Sequence, residues 1–384
     1  MKKSLIALAF GTLGLGIAEF VMMAILPYVA KDLHVSIPTA GHLISAYALG
    51  VCAGAPMLTL ARKLPLKNIL LGLVALMMIG NTCAAFSPNF WTMIGARFIS
   101  GLPHGAYFGV ASIVAEKLAD KGKGSEAVSI MIAGMTVANL FGVPLGTSLS
   151  TMLSWRLTFL LVGIWCIIVL YYIWKWVPQV EGLPDTGFKG QFRFMKTTAP
   201  WLILGATMFG NGGVFCWYSY INPLLTKVSG FSAESITLLM VLAGFGMVVG
   251  NLIGGRLSDR YTPGRVAATT QIIICFALLS IFFAARIDWL TALLMCLCTT
   301  GLFAVSSPLQ ISIIHFAKGG ELLGAACIQV AFNLGNAIGA FIGGLPLEAG
   351  LGYRYPALIG APLTFVGFVL MIIFFKKYER KAIE

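Results

Sequence analysis

Charge is scarce in this sequence. Only 10% of its 384 residues are Asp, Glu, Lys or Arg, while 58% are apolar. Soluble domains carry about 25% charged residues, and this chain has too little polar surface to face water on all sides. That excludes a water-soluble enzyme, a nucleic-acid binder and a disordered chain. Reactive groupings are missing as well. The eight cysteines lie inside apolar runs with no CxxC spacing, so neither a disulfide framework nor a metal site is expected. The sequence has no Walker glycine loop, no nucleophile elbow and no metal-spaced His/Cys cluster. Enzymatic chemistry, nucleotide-driven work and a bound cofactor are therefore not expected.

What the chain does have is long apolar runs, with a mean hydropathy of +0.90. A membrane helix needs about 20 mostly apolar residues. Twelve such runs fall near 5–28, 41–61, 69–86, 91–115, 126–150, 156–177, 200–222, 235–256, 265–285, 289–314, 322–348 and 353–375. The first follows Met1-Lys2-Lys3 and resembles a signal peptide, but it exceeds the roughly 7–15 residues of a signal core, so it reads as a retained span. The fold class expected is an all-α polytopic membrane protein of twelve transmembrane helices in two six-helix bundles. The bundles are expected at 1–178 and 200–384, with a cytoplasmic linker at 179–199 and the whole in a bacterial inner membrane.

The net charge of +12 comes from bases in the short gaps. With the N-terminus inside, 20 of the 26 Lys and Arg fall in inner segments and five in outer ones, and Arg97 lies within a span. The positive-inside rule then places both termini in the cytoplasm. The positive charge thus predicts contact with anionic lipid, not with nucleic acid.

An internal repeat supports two halves. Gly134, Ala138, Gly142 and Gly146 recur as Ala331, Gly335, Gly339 and Gly343 at an offset of 197, and Asn139 recurs as Asn336. Gly50 and Gly54 recur as Gly246 and Gly250 at 196. Small residues every fourth position share one helix face and let backbones approach closely. Pro144 and Pro346 are expected to bend their helices. Such stripes serve packing, and sliding of one helix on another is a second reading.

Several motifs carry a family likeness. Gly255-Arg256-Leu257-Ser258-Asp259-Arg260 resembles the cytoplasmic loop signature of the major facilitator superfamily. The run from Gly134 through Pro144 to Gly146 resembles the fifth-span motif of its antiporter branch. The run from Arg97 through Gly101 to His104 is similar to the fourth-span motif of drug:proton antiporters. With Gly16-Ile17-Ala18-Glu19-Phe20, the whole chain looks like the bacterial arabinose efflux permease group. The resemblance implies rocking of two bundles around a midplane site. It also implies proton-coupled export of a small sugar-like or amphipathic drug-like molecule. The loop at 62–67 keeps its bases but lacks the family's acid. Asp259 is left to close its own half, or is simply a solvated loop acid.

Two formal charges lie deep in spans, Glu19 and Arg97. Each costs about 2.5–3.5 kcal/mol at mid-bilayer, which marks a functional site by default. At about 1.5 Å per residue they lie about 14 Å and 9 Å from the outer end of their spans, within an arginine's reach if spans 1 and 4 are neighbours. His104 follows Arg97 by two turns on the same face. Glu19, Arg97 and His104 together suit proton coupling. A carboxyl group removed from water holds its proton more tightly, and a nearby guanidinium loosens it. A purely structural Glu19–Arg97 pair and a satisfied core histidine stand as the alternatives.

The position matching Glu19 at an offset of 197 is Cys216, so the halves are chemically unequal. The second half instead offers Asn211, Phe215, Trp217, Tyr218 and Tyr220 in span 7, Gln310 in span 10, and Asn333 and Asn336 in span 11. Aromatic walls with a few polar anchors suit a small amphipathic or polyol ligand. Helix packing or an interfacial belt is the competing reading for each aromatic. The partners expected are a small-molecule substrate, protons and membrane lipid, with the chain a monomer. An uptake symporter or uncoupled facilitator for a sugar or nucleoside is the first rival function, and a non-transporting membrane sensor the second.

Overall fold

The computed structural model describes residues 2–35, 37–184, 187–232 and 235–380. Among the described residues every regular element is helical. Among the described residues, twelve helices are long and apolar enough to cross a membrane. They are α1 (Lys2–Leu26), α2 (Thr39–Ala61), α3 (Leu66–Ala85), α4 (Phe90–Lys117), α5 (Gly124–Ser150), α6 (Trp155–Trp176), α7 (Thr198–Lys227), α8 (Ser235–Arg260), α9 (Pro263–Ala284), α10 (Asp288–Phe316), α11 (Glu321–Glu348) and α12 (Tyr355–Glu379). The helix of α1 continues to Asp32. Large apolar side chains such as Trp91, Phe141, Phe283 and Phe341 stand on the outside. In a bilayer that surface faces acyl chains, where burial from water needs no protein partner.

Local chemistry sets the helix ends. Asn89 accepts from the Thr92 N–H at 3.0 Å while Thr92 Oγ1 accepts from the Asn89 N–H at 3.4 Å, a capping box that starts α4. Ser154 caps α6, and Thr262 with Pro263 starts α9. Proline sets the interruptions. Pro308 lacks the N–H that would bond the Ala304 carbonyl, and α10 breaks between Ala304 and Ser306. Pro223 does the same to Ser219, and α7 breaks between Tyr218 and Ile221. Pro144 follows a π-helical turn over Ala138–Gly142. Pro346 lies two residues before the end of α11, and the helix stays regular up to it.

The chain divides into two units, residues 1–194 with 317–330, and residues 195–316 with 331–384. In the first, α1 packs on α5 and α6, α2 on α4, and α3 on α4 and α6. In the second, α7 packs on α12, α9 on α12 and α10, and α8 on α10. Within the linker the Val180 carbonyl accepts from the Leu66 N–H at 3.0 Å, and Gln191 Nε2 donates to the Gly319 carbonyl at 3.3 Å. Where α1 and α3 end and α6 begins, Arg156 donates to Asp32 at 2.8 Å and to the Ser87 carbonyl at 2.7 Å.

The small-residue stripes act in equivalent places. Side-chain atoms at Gly54 and at Gly250 would collide with the backbone carbonyls of Leu102 and Thr300, so α2 on α4 repeats as α8 on α10. Gly16 lies against Ala138, and Gly212 against Gly335. Gly134, Gly142 and Gly146 pack on Ala9, Ile17 and Val21 of α1, and Gly339 and Gly343 on the Gly212 and Cys216 carbonyls of α7. These contacts put the α1/α7 offset at 195 or 196, so Glu19 falls opposite Val214 or Phe215. On either offset the second unit has no acid at that place.

Candidate functional site

The first unit gathers its polar side chains around α4. Gly50, Gly54 and Gly101 let the backbones of α2 and α4 meet, and Gly101 lies directly against the Tyr47 carbonyl. That contact sets Tyr47 beside the arginine and histidine of α4. Arg97 is fully buried. Its Nη1 donates to the Ala18 carbonyl at 2.8 Å and its Nε to the Leu43 carbonyl at 3.4 Å. The guanidinium lies 4.4 Å from the centre of the Tyr47 ring and 5.6 Å from that of Phe159. It therefore joins α1, α2, α4 and α6.

The predicted pairing of Glu19 with Arg97 takes an indirect form. Arg97 binds the carbonyl one residue before Glu19, while the carboxylate has His104 close by, with Nε2 3.8 Å from Oε2. That gap is too long for a hydrogen bond. Both atoms are buried and neither has a hydrogen-bond partner among the described residues. The other ring nitrogen of His104, Nδ1, is 2.8 Å from the Tyr47 hydroxyl. The imidazole also stacks on Phe108 at 5.2 Å, and the Gln329 side chain lies next to it.

Tyr47 thus completes the cluster, although it has no formal charge to mark it within an apolar span. The available signal was its place one turn before Gly50 on the glycine face of α2.

In the second unit, Asn211 and Asn336 come together. Asn211 Nδ2 donates to Asn336 Oδ1 and, at 3.2 Å, to the Phe332 carbonyl. Tyr220 donates to the Ala340 carbonyl at 2.8 Å. Trp217 is sealed into an apolar core with Val214, Leu239 and Met247, and Phe215 and Tyr218 pack against that core. Phe215 and Tyr218 are each half-buried. Gln310 is buried just beyond the α10 break, beside Ser306 and Ser307. Asn333 is half-buried on α11. Gly255 is buried at the end of α8, whereas Arg256 and Arg260 are exposed and Asp259 half-buried. A separate apolar cavity of about 200 Å³ between α2, α3 and α4 is lined by Gly54, Leu58 and Leu102 and by none of the ionisable residues of the cluster. Among the described residues no group of three His, Cys, Asp or Glu is placed to hold a metal ion.

The profile of the Major Facilitator Superfamily matches residues 8–326. The chain belongs to the Major Facilitator Superfamily. It is 48% identical to "Putative transporter AraJ" of Escherichia coli (strain K12) over 382 residues, covering 99% of this chain and 97% of that protein. It is 27% identical to the "Probable sugar efflux transporter" of Helicobacter pylori (strain J99 / ATCC 700824), covering 94% and 90%. The crystal structure of the E. coli fucose:proton symporter FucP shares the fold, with a TM-score of 0.75 at 16% identity, over 96% of this chain and 98% of that one. The protein is accordingly a multi-pass membrane transporter of this superfamily.

Proposed function

We propose that the protein exports a small sugar-like molecule from the bacterial cytoplasm in exchange for protons, by alternating access, with both termini on the cytoplasmic side. The observation that carries the coupling is the buried carboxylate of Glu19 on α1. One of its oxygens is unsatisfied at 3.8 Å from an equally unsatisfied imidazole nitrogen. An acid kept in a membrane helix at such cost and left incompletely bonded is suited to taking up and giving back a proton. Arg97 beside it, bonded to the Ala18 and Leu43 carbonyls, is suited to holding α1, α2 and α4 in register. Polar anchoring of a polyol falls to Asn211 and Asn336, with Tyr220, Gln310 and Asn333 near the same helices. The efflux description of the Helicobacter pylori relative supports a sugar as cargo. Amphipathic drug-like compounds form the second class. The glycine stripe of α5 and the Gly255–Arg260 segment serve as packing and gating elements of the cycle. The protein acts as a monomer in contact with anionic lipid.

Everted vesicles carrying the protein and an acid interior test this reading. A panel of pentoses, hexoses and lipophilic cations is added one at a time. The expected result is that at least one sugar partly collapses the gradient in vesicles with the wild-type protein and none does so with Glu19→Gln. Sugar uptake without proton movement would leave an uncoupled facilitator. Acidification on sugar addition would mean co-transport.

A further inference from the structure

Glu19, Arg97 and His104 share the α1/α2/α4 cluster with a fourth titratable side chain, Tyr47. Tyr47 is buried with only 2% exposure, and its hydroxyl hydrogen-bonds to the imidazole. Neutral imidazole has one N–H and one lone pair, and the bond made at one nitrogen decides which function the other presents. Nδ1 has the Tyr47 hydroxyl at 2.8 Å and Nε2 has Glu19 Oε2 at 3.8 Å, with the Gln329 side chain as a further hydrogen-bonding group at the ring. The ring cannot turn freely, because Phe108 stacks on its face and Tyr47 meets it edge-on at 5.8 Å.

We infer that Tyr47 is the positioning residue of this site: its hydroxyl pairs with Nδ1 in either tautomer of His104 and so leaves Nε2 to face Glu19, as N–H when the carboxylate is ionised. When Tyr47 donates to Nδ1, the proton of the ring resides on Nε2 and points at Oε2. When Glu19 carries a proton, the complementary arrangement is available. Nδ1–H then donates to the Tyr47 oxygen, and the Nε2 lone pair faces the carboxyl group, to accept from its O–H once the 3.8 Å gap closes. A phenol can donate or accept, so one side chain serves both forms of Glu19, which phenylalanine cannot do. The charged and titratable groups meeting here are Glu19 from α1, Tyr47 from α2, and Arg97 and His104 from α4. Phe108, Phe159 and Gln329 around them are neutral. The ring of Tyr47 has a separate task as the platform under Arg97. The hydroxyl can therefore be removed while that platform stays.

This assignment deepens the reading of Glu19 as a proton carrier, and its test needs no transport substrate. Purified protein labelled with ¹⁵N-histidine has four histidines, and His104→Gln identifies the signal of interest. In the wild type, Nδ1 is expected as a hydrogen-bonded acceptor and Nε2 as the protonated nitrogen. In Tyr47→Phe, Nδ1 is expected to move to the position of a free acceptor or to take up the proton, giving a mixed tautomer. In Glu19→Gln, the Nε2–H signal is expected to move while Nδ1 stays. Unchanged nitrogens in Tyr47→Phe would overturn the assignment. So would an Nε2–H signal indifferent to Glu19→Gln, since Tyr47 would then only satisfy a core histidine. If Tyr47→Phe does not fold, 3-fluorotyrosine at position 47 keeps the contacts and makes a stronger donor. It must shift Nδ1 further from the free-acceptor position, and no shift would refute the assignment. If the nitrogen signals behave as stated but Glu19→Gln still exchanges protons for sugar in vesicles, the transport reading fails and the Tyr47 assignment stands.

Discussion

Replacing Arg97 by lysine keeps the charge and removes the fork. The guanidinium spends one nitrogen on the Ala18 carbonyl at 2.8 Å and another on Leu43 at 3.4 Å, while its plane covers the Tyr47 ring at 4.4 Å. An ammonium reaches one of these carbonyls as a point charge and loses the planar stack. A hydrogen bond from a charged donor contributes about 1.5–3 kcal/mol, with the long Leu43 bond at or below the lower end. A buried cation–π contact contributes about 1–2 kcal/mol, part of which lysine retains. The loss comes to about 2 kcal/mol. For units of this size that corresponds to a fall of about 4–8 °C in unfolding temperature. Cys166, Cys216, Cys275 and Cys298 are buried and free, so a thiol-reactive dye reports unfolding when scan rates are matched. Arg97→Met also removes a charge that costs about 2.5–3.5 kcal/mol to hold in the membrane. It is expected to destabilise no more than Arg97→Lys does. A lysine variant that unfolds with the wild type would show that the fork does not tie α1 and α2 to α4.

The same assay checks the helix contacts. Gly54→Leu places a side chain on the Leu102 carbonyl and is expected to abolish the folded protein, as is Gly250→Leu at Thr300, whereas Gly72→Leu and Gly95→Leu meet open space and are expected to be tolerated. Arg156→Ala removes a half-exposed pair with Asp32 and two carbonyl bonds. It is expected to cost about 1 kcal/mol after screening, with the ion-pair share shrinking in salt. Asn211→Ala and Asn336→Ala remove two ends of one hydrogen bond. Each is expected to weaken binding of a transported sugar, measured as its thermal protection, and the double variant to lose less than the sum.

The twelve spans were legible because hydropathy over 20 residues is a strong signal, and their ends fall within a few residues of expectation. The interruptions of α7 and α10 were not. Pro223 and Pro308 lie inside apolar runs, and hydropathy is blind to a missing N–H. The last helix also runs further than its apolar stretch. Glu379 is buried because both its oxygens accept from the Gly264 N–H at 2.9 Å, at the start of α9. A carboxylate that caps a distant helix reads in sequence as an ordinary tail charge. At the site, Glu19, Arg97 and His104 stood out because ionisable groups are rare in spans. The geometry adds that Arg97 serves backbone carbonyls and that His104 is the neighbour of the carboxylate. Aromatic residues divided differently: Trp217 belongs to a packed core, and no spacing rule separates such a residue from a cavity wall.

The central claim is that Glu19 couples cargo to protons. It is tested most directly by comparing exchange with gradient-driven transport in proteoliposomes, using a sugar that collapses the proton gradient in the vesicle panel. With Glu19→Gln, exchange of labelled for unlabelled sugar at equal concentrations is expected to continue, while accumulation against a sugar gradient under an imposed proton gradient is expected to vanish. Accumulation at the wild-type level in that variant would contradict the account.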